Sequence, residues 1–296
     1  MKNRGGVCRH TRWSSEPADF APYWSRAMQT TTCAPRPSLA RHALIATLVV
    51  LPVLPLGGCS ESRASETNNA IAYAAPMRIG DGTARTYVVR DAMGIPKTLG
   101  VELSESALRN LPATPVFLNL PFPKEAGSQY TFNMLHWNPA GHMPDHVYTV
   151  PHFDFHFYMA NEDDVMAIPG GWDPVVADSR FVPNDYIAPG NEAIQMMGVH
   201  WVDRTSGEFN GKTFDQTFIW GFHHGKLQFI EPMITKAFLE STSSFTAELK
   251  QPESVQRPGL YPKRYSIRHD TVAKVYRITL DELRMRDEGW GMRDEG

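Results

Sequence analysis

Five of the chain's 11 histidines, His136, His142, His146, His152 and His156, fall within 21 residues, in the run HWNPAGHMPDHVYTVPHFDFHFY. Chance placement rarely gives that density. Neutral imidazole is the commonest protein ligand for transition metals, so the cluster predicts a metal site. The alternative for any single histidine is an ordinary hydrogen-bonded core or surface residue. In an extended strand, successive side chains point to opposite faces. His152-Phe153-Asp154-Phe155-His156-Phe157-Tyr158 therefore reads as a strand with His152, Asp154 and His156 on one face. Phe153, Phe155 and Phe157 line the other face and anchor the strand in a core. Same-face neighbours lie ~7 Å apart along a strand, so the two imidazoles must lean together and take further ligands from elsewhere.

His142 sits in the loop before this strand and can fold back over that face. His146 can do the same, but Pro144 between them argues against a helical pair. His200, in Met197-Gly198-Val199-His200-Trp201, is a further candidate on a separate strand. The expected ligands are His142, His152, His156 and His200. Three imidazoles with water or carboxylate suit Zn, similar sets suit Cu, Fe or Ni, and Mg or Ca would want mostly oxygen. Two carboxylates are placed to move protons, Asp154 and Glu231. Glu231 closes the apolar stretch Phe229-Ile230-Glu231 and reads as a ligand, a partner of a histidine or a general base. An edge-strand Glu facing solvent fits that sequence equally well. His136 is read as orienting the loop, and His223 and His224 as solvated residues of a turn. No Gly-rich phosphate loop, Gly-x-Ser-x-Gly elbow or His-Glu-x-x-His pattern is present.

The elements that must position these groups are short strands. Strand patterns cover 85–90, 97–103, 116–120, 130–137, 152–159, 198–202, 213–222, 226–231, 264–269 and 271–280. His223-His224-Gly225 reads as the turn of a hairpin. Short helices are expected at 104–111, at 161–167 with Asn161 as cap, and at 235–241. Residues 139–151 and 168–191, rich in Pro, Gly and Asp, read as loops. The pattern predicts a mainly β fold, a β-barrel or β-sandwich with a few short helices, as one domain over 77–281. The repeated Met-Arg-Asp-Glu-Gly at 285–289 and 292–296 lies in a charged tail, 282–296, that is expected to be disordered.

The run His136-Trp137-Asn138-Pro139, Gly141-His142-x-Pro144, Val147-Tyr148 and Pro151-His152-Phe153-Asp154-Phe155-His156-Phe157-Tyr158 resembles a bacterial envelope-protein family. That family carries an uncharacterised domain first described in a Thermus protein under an extracytoplasmic-function sigma factor. Met197-Gly198-x-His200-Trp201 and the blocks from Thr217 to Gly221 and from Glu231 to Thr235 share the likeness, which spans roughly 85–241. The resemblance implies a secreted or lipid-anchored β-rich domain that assembles as a ring-like homo-oligomer. It brings no reaction. His146, His223 and His224 do not match its pattern.

The N-terminal segment gives an address. Ala43–Leu56 is apolar and uncharged, follows Arg36, Arg41 and His42, and is shorter than the ~20 residues that span a bilayer as a helix. It reads as the apolar part of a signal peptide. Leu56-Gly57-Gly58-Cys59 then resembles the bacterial lipobox, with Cys59 as the lipidated residue and residues 59–76 as a tether. A plain secretory signal is the alternative. Residues 1–27 fit no signal pattern, and Met28 is the expected true start of a signal over 28–58. All three cysteines (Cys8, Cys33, Cys59) lie at or before that cut, so no disulfide and no thiolate ligand is expected beyond it.

With 42% hydrophobic and 21% charged residues, the composition excludes a wholly disordered or coiled-coil chain. The net charge of −3 gives no nucleic-acid footprint. Three functions remain: a metal-dependent enzyme, hydrolytic or lyase-like with Zn and oxidative with Cu or Fe, acting on a small organic substrate; a non-catalytic metal- or ligand-binding protein; and a structural homo-oligomer of the envelope stress response.

Overall fold

The computed structural model describes residues 70–287. In chain order the strands are β1 (Ala70–Tyr73), β2 (Met77–Ile79), β3 (Gly82–Arg90), β4 (Pro96–Ser104), β5 (Val116–Pro121), β6 (Phe132–Asn138), β7 (His152–Tyr158), β8 (Gly171–Trp172) and β9 (Tyr186–Ile187). They continue as β10 (Glu192–Ala193), β11 (Val199–Asp203), β12 (Gln216–His223), β13 (Lys226–Thr235), β14 (Ser244–Glu248), β15 (Gly259–Tyr261), β16 (Arg264–Asp270), β17 (Val275–Asp281) and β18 (Arg284–Arg286). The α-helices are short: α1 (Glu162–Met166), capped by the Asn161 side chain, and α2 (Lys236–Ser241), capped by Thr235.

Two open antiparallel sheets carry the fold. The first runs β1-β3-β4-β17-β16-β14, with β2 also paired to β3, and the second runs β5-β6-β7-β13-β12-β11-β9. Val88, Leu99, Val101, Ile267 and Ile278 of the first share one core with Leu135, Phe153, Phe155, Phe157, Phe218 and Ile230 of the second. Neither sheet closes on itself, so the mainly β fold is a sandwich and not a barrel. The alternation predicted for 152–158 is present: the three phenylalanines of β7 are fully buried in the shared core.

The ordered domain is longer than the sequence pattern suggests. Ala70–Tyr73, read as tether, pairs with β3 from Ala70–Arg90 to Tyr73–Tyr87. Arg284–Arg286, read as disordered tail, pairs with β15, and Arg286 is buried, donating to the carbonyls of Pro252 and Glu253. The Ser-, Glu- and Asn-rich run before Ala70 hid the first strand and the charged composition of the tail hid the second, and both take their stabilising bonds from backbone partners distant in sequence. The signal segment, Cys59 and the rest of the charged tail lie outside the described residues. Among those described, no helix is long and apolar enough to cross a membrane.

Candidate metal centre

The face of β7 opposite the shared core carries His152, Asp154 and His156, and each is at most 2% exposed. A solvent-facing platform would leave them wet. Here two small apolar clusters cover the same face instead. One is built from Phe132, Met134, Tyr158, Val165, Met197 and Phe229. The other is built from Tyr148, Val202, Phe214, Ile219 and Met233. The polar groups between them therefore interact in a low-dielectric setting, where an unsatisfied charge is costly.

Strand register decides which groups meet. In the β6–β7 ladder His136 stands opposite Asp154 and Asn138 opposite His152. On the other side, the register that pairs Ile230 with Phe157 and Met233 with Asp154 brings Glu231 opposite His156. That ladder lapses at Glu231 and Pro232, since Pro232 has no N–H to donate. The strand nevertheless continues to Thr235, so Glu231 lies in the middle of a central strand and is 1% exposed. The solvent-facing edge position that the sequence allowed is excluded.

His200 reaches the same carboxylate from β11, where it pairs with Gly221 of β12. A Cβ on Gly221 would stand 2.1 Å from the Phe229 ring, so only glycine lets that ring lie where it does. Both His156 and His200 pack edge-on to Phe229, with ring centroids 4.9 and 5.5 Å away. His142 comes from the loop between β6 and β7. Gly141 before it has φ +73°, and a Cβ there would meet the Tyr148 carbonyl oxygen at 2.0 Å. The tight loop carries the His142 ring to 4.7 Å from that of His152. His146 is exposed and takes no part.

The four expected ligands are thus shared between two carboxylates. His142, His152 and Asp154 form one group and His156, His200 and Glu231 the other, with the ligand atoms of each within 4.8 Å of one another. In the first, Nε2 of His152 is 3.1 Å and Nε2 of His142 3.6 Å from Asp154. In the second, Nε2 of His156 is 3.4 Å and Nε2 of His200 3.7 Å from Glu231. Asp154 and Glu231 sit where ligands sit, beside their histidines.

The tautomers favour a cation between these atoms. Nδ1 of His142, His152 and His156 donates to the carbonyls of Met143 (2.7 Å), Val150 (2.7 Å) and Met134 (3.0 Å). A carbonyl only accepts, so Nδ1 carries a proton, and in the neutral ring the lone pair is on Nε2, aimed at a carboxylate. His152 Nε2, Asp154 Oδ1 and Glu231 Oε2 are buried without any hydrogen-bond partner. Two atoms each bonded at ~2.1 Å to a tetrahedral ion stand about 3.4 Å apart. The contacts of 3.1–3.7 Å bracket that separation. The residues fit a bound metal ion, and each group, two imidazoles and one carboxylate, can hold one.

Electrostatics separates the two carboxylates. Burial would raise Asp154, but the positive charge that a protonated His152 puts beside it, and the protons that His136, His142 and His152 turn toward it when they are charged, hold it well below the usual range, as a bound cation would. Burial pushes Glu231 well above it, and the nearby Asp154 charge adds to the rise. Burial also lowers His156 to about 3 and His200 to about 4, leaving both imidazoles neutral and free to ligate near neutral pH. His142 is different: burial lowers it, but Asp154 stabilises a second proton on its Nε2 in the absence of metal, which outweighs burial and raises it.

Two residues of the site were not legible as such. His136, read as orienting the loop, places Nδ1 3.2 Å from Asp154 and stacks on Phe117 at 3.8 Å. Asn138 donates to Asp154 Oδ2 at 2.6 Å. Their i, i+2 spacing on the strand before the loop was the available signal. Compared with known proteins, the chain matches no family model, no curated protein and no solved structure.

Proposed function

We propose that this is a cell-envelope protein, lipid-anchored at Cys59 or secreted, that binds a divalent or transition metal, Zn foremost, between the histidines and carboxylates of the second sheet. The observation that carries the reading is the shared tautomer of His142, His152 and His156. Each spends its Nδ1 proton on a backbone carbonyl and turns Nε2 toward a buried carboxylate. A purely structural imidazole has no need to present an unpaired Nε2 to a carboxylate in an apolar setting. Cu and Fe fit the same donors.

Two histidines and one carboxylate leave a coordination position free, the arrangement of catalytic rather than closed structural Zn sites. We therefore favour a metal-dependent hydrolase or lyase acting on a small organic substrate, with the ion serving as Lewis acid. His142 and His200, the least buried of the set, mark the side open to substrate. A non-catalytic metal- or ligand-binding protein is the second reading, favoured by the near-complete burial of His152, Asp154, His156 and Glu231.

The test is metal content by mass spectrometry on protein purified without affinity histidines, with His152→Ala/His156→Ala beside it. Near-stoichiometric metal in the parent, lost from a still-folded variant, supports the site. A parent chain that stays empty and cannot be loaded with Zn, Cu, Fe, Mn or Ni sinks it. Loaded and stripped protein, compared on ester, amide and phosphate substrates, then separates enzyme from binder. The envelope address rests on the sequence of 43–59. Labelled palmitate incorporated into the parent but not into Cys59→Ser tests it, with homo-oligomer mass read on the same material.

A further inference from the structure

A third group of potential ligands lies away from the site above, at the turn between β12 and β13. There His223 ends β12 and His224 opens the turn, with their ring centroids 4.0 Å apart. Both face Asp173, which follows β8 at the start of the long loop 173–191. Nδ1 of His223 stands 3.4 Å from Asp173 Oδ2, and Nδ1 of His224 stands 3.0 Å from Asp173 Oδ1.

Asp173 is 3% exposed, while His224 is largely open to solvent. Backbone bonds hold the carboxylate rigidly. Val175 N donates to Oδ1 at 3.0 Å and His224 N to Oδ2 at 2.7 Å. Each oxygen keeps a further lone pair, and each of those is faced by one imidazole. The turn is fixed independently: Gln256 donates to the Gly225 carbonyl and accepts from Leu227 N. Nδ1 of His223 is buried without a hydrogen-bond partner. Two fixed imidazoles and a fixed carboxylate, with ligand atoms within 4.8 Å of one another, repeat the donor set of the buried groups at a solvent-accessible place.

The geometry points to a separate, exchangeable site for a divalent transition metal of the Zn, Cu or Ni class at Asp173, His223 and His224, one that pins the 173–191 loop to the hairpin turn. Without metal, the Nδ1–H of His224 donates to Asp173. On binding, the ion takes that position and the ring proton moves to Nε2, which water reaches. No net proton need be released. The inference does not rest on the buried site.

Full-length protein without affinity histidines is titrated with Zn2+ against a weak chelator by equilibrium dialysis. The variants are His223→Gln/His224→Gln, Asp173→Asn and, for comparison, His152→Ala/His156→Ala. Gln keeps a donor for the carboxylate, so the turn variant retains its fold and melting temperature, whereas Asn keeps only one of the two acceptors that Val175 N and His224 N use, so Asp173→Asn is compared at a temperature well below its own melting point. The expected result is a chelator-labile Zn2+ that the turn variant loses and Asp173→Asn weakens at least tenfold. Zn2+ also slows proteolysis within 173–191 in the parent and in His152→Ala/His156→Ala. A turn variant that binds as much Zn2+ as the parent overturns the inference and leaves the buried site standing. Zn2+ lost only with the turn variant overturns the buried site and leaves this one.

Discussion

Nε2 of His156 stands 3.4 Å from Oε1 of Glu231, with both side chains 1% exposed. The two residues lie on neighbouring strands, and the Nδ1 of His156 is already committed to the Met134 carbonyl. The contact is too long for a good N–H···O bond, and the lone pair on Nε2 has no proton to give. What is missing between these atoms is positive charge. A proton on Glu231 supplies it in the metal-free protein, and a metal ion supplies it better.

That relationship sets a pH dependence. Burial raises Glu231 well above the ordinary carboxylate range. A group whose pKa is higher folded than unfolded adds stability while it stays protonated, and that stability is lost as pH rises from the unfolded value through the folded one. The metal-free protein therefore loses stability on going from about pH 4 to neutral through this group. Glu231→Gln cannot ionise. Stripped of metal, it should melt above the parent at pH 7–8, by a few °C at roughly 2–4 °C per kcal/mol, with the gap closing toward pH ~4. A parent melting at or above Glu231→Gln at neutral pH, both metal-free, would refute the assignment of a strained buried carboxyl.

Metal should reverse the penalty. A ligand that binds only the folded state stabilises it by about 2.7 kcal/mol at a hundredfold excess over Kd, or roughly 5–10 °C for a domain of this size. Adding Zn2+ should raise the melting temperature of the parent by that order and of His152→Ala/His156→Ala by much less. Equal shifts in both proteins would place the responsible ion elsewhere.

Asn138 gives a test that removes no ligand. Its Nδ2 donates to Asp154 Oδ2 at 2.6 Å inside a buried site. Asn138→Ala leaves the carboxylate one donor short, which costs ~1–3 kcal/mol. Partners of metal ligands typically change affinity about 10–100-fold. The expected variant is folded, several degrees less stable, and weaker for metal by that factor, as read by competition with a chromophoric chelator. Unchanged affinity would mean that Asp154 does not ligate.

How much of this was legible follows residue by residue. The alternation of Phe153, Phe155 and Phe157 with His152, Asp154 and His156 is a local property, so sequence alone predicted both faces of β7. Glu231 was harder, because Pro232 reads as a strand terminator. The strand survives the proline since β12 still pairs with it, Phe218 opposite Pro232. The division of the histidines between Asp154 and Glu231 was out of reach. It depends on the register of β6, β7, β13, β12 and β11, which is set by packing across the whole sheet and not by any neighbour in sequence. His136 and Asn138 join Asp154 through that same register.

Gly221 tests whether packing, and not only ligand chemistry, holds the second group. It pairs with His200 on one side and Phe229 on the other, and a Cβ here would lie 2.1 Å from the Phe229 ring. Gly221→Ala must push that ring, and both His156 and His200 pack edge-on to it. Overpacking a well-filled core costs ~1–3 kcal/mol, so the melting temperature should fall by several degrees. Because the ring is shared by the two imidazoles, metal at His156, His200 and Glu231 should weaken as well, although no ligand has changed. Pairing the substitution with Phe229→Leu makes room for the new methyl and should recover part of the stability. Metal should recover only partly, since the leucine no longer braces the two imidazoles. If Gly221→Ala costs stability but leaves metal affinity untouched, Phe229 is only a core residue and the position of His200 is set by β11 alone.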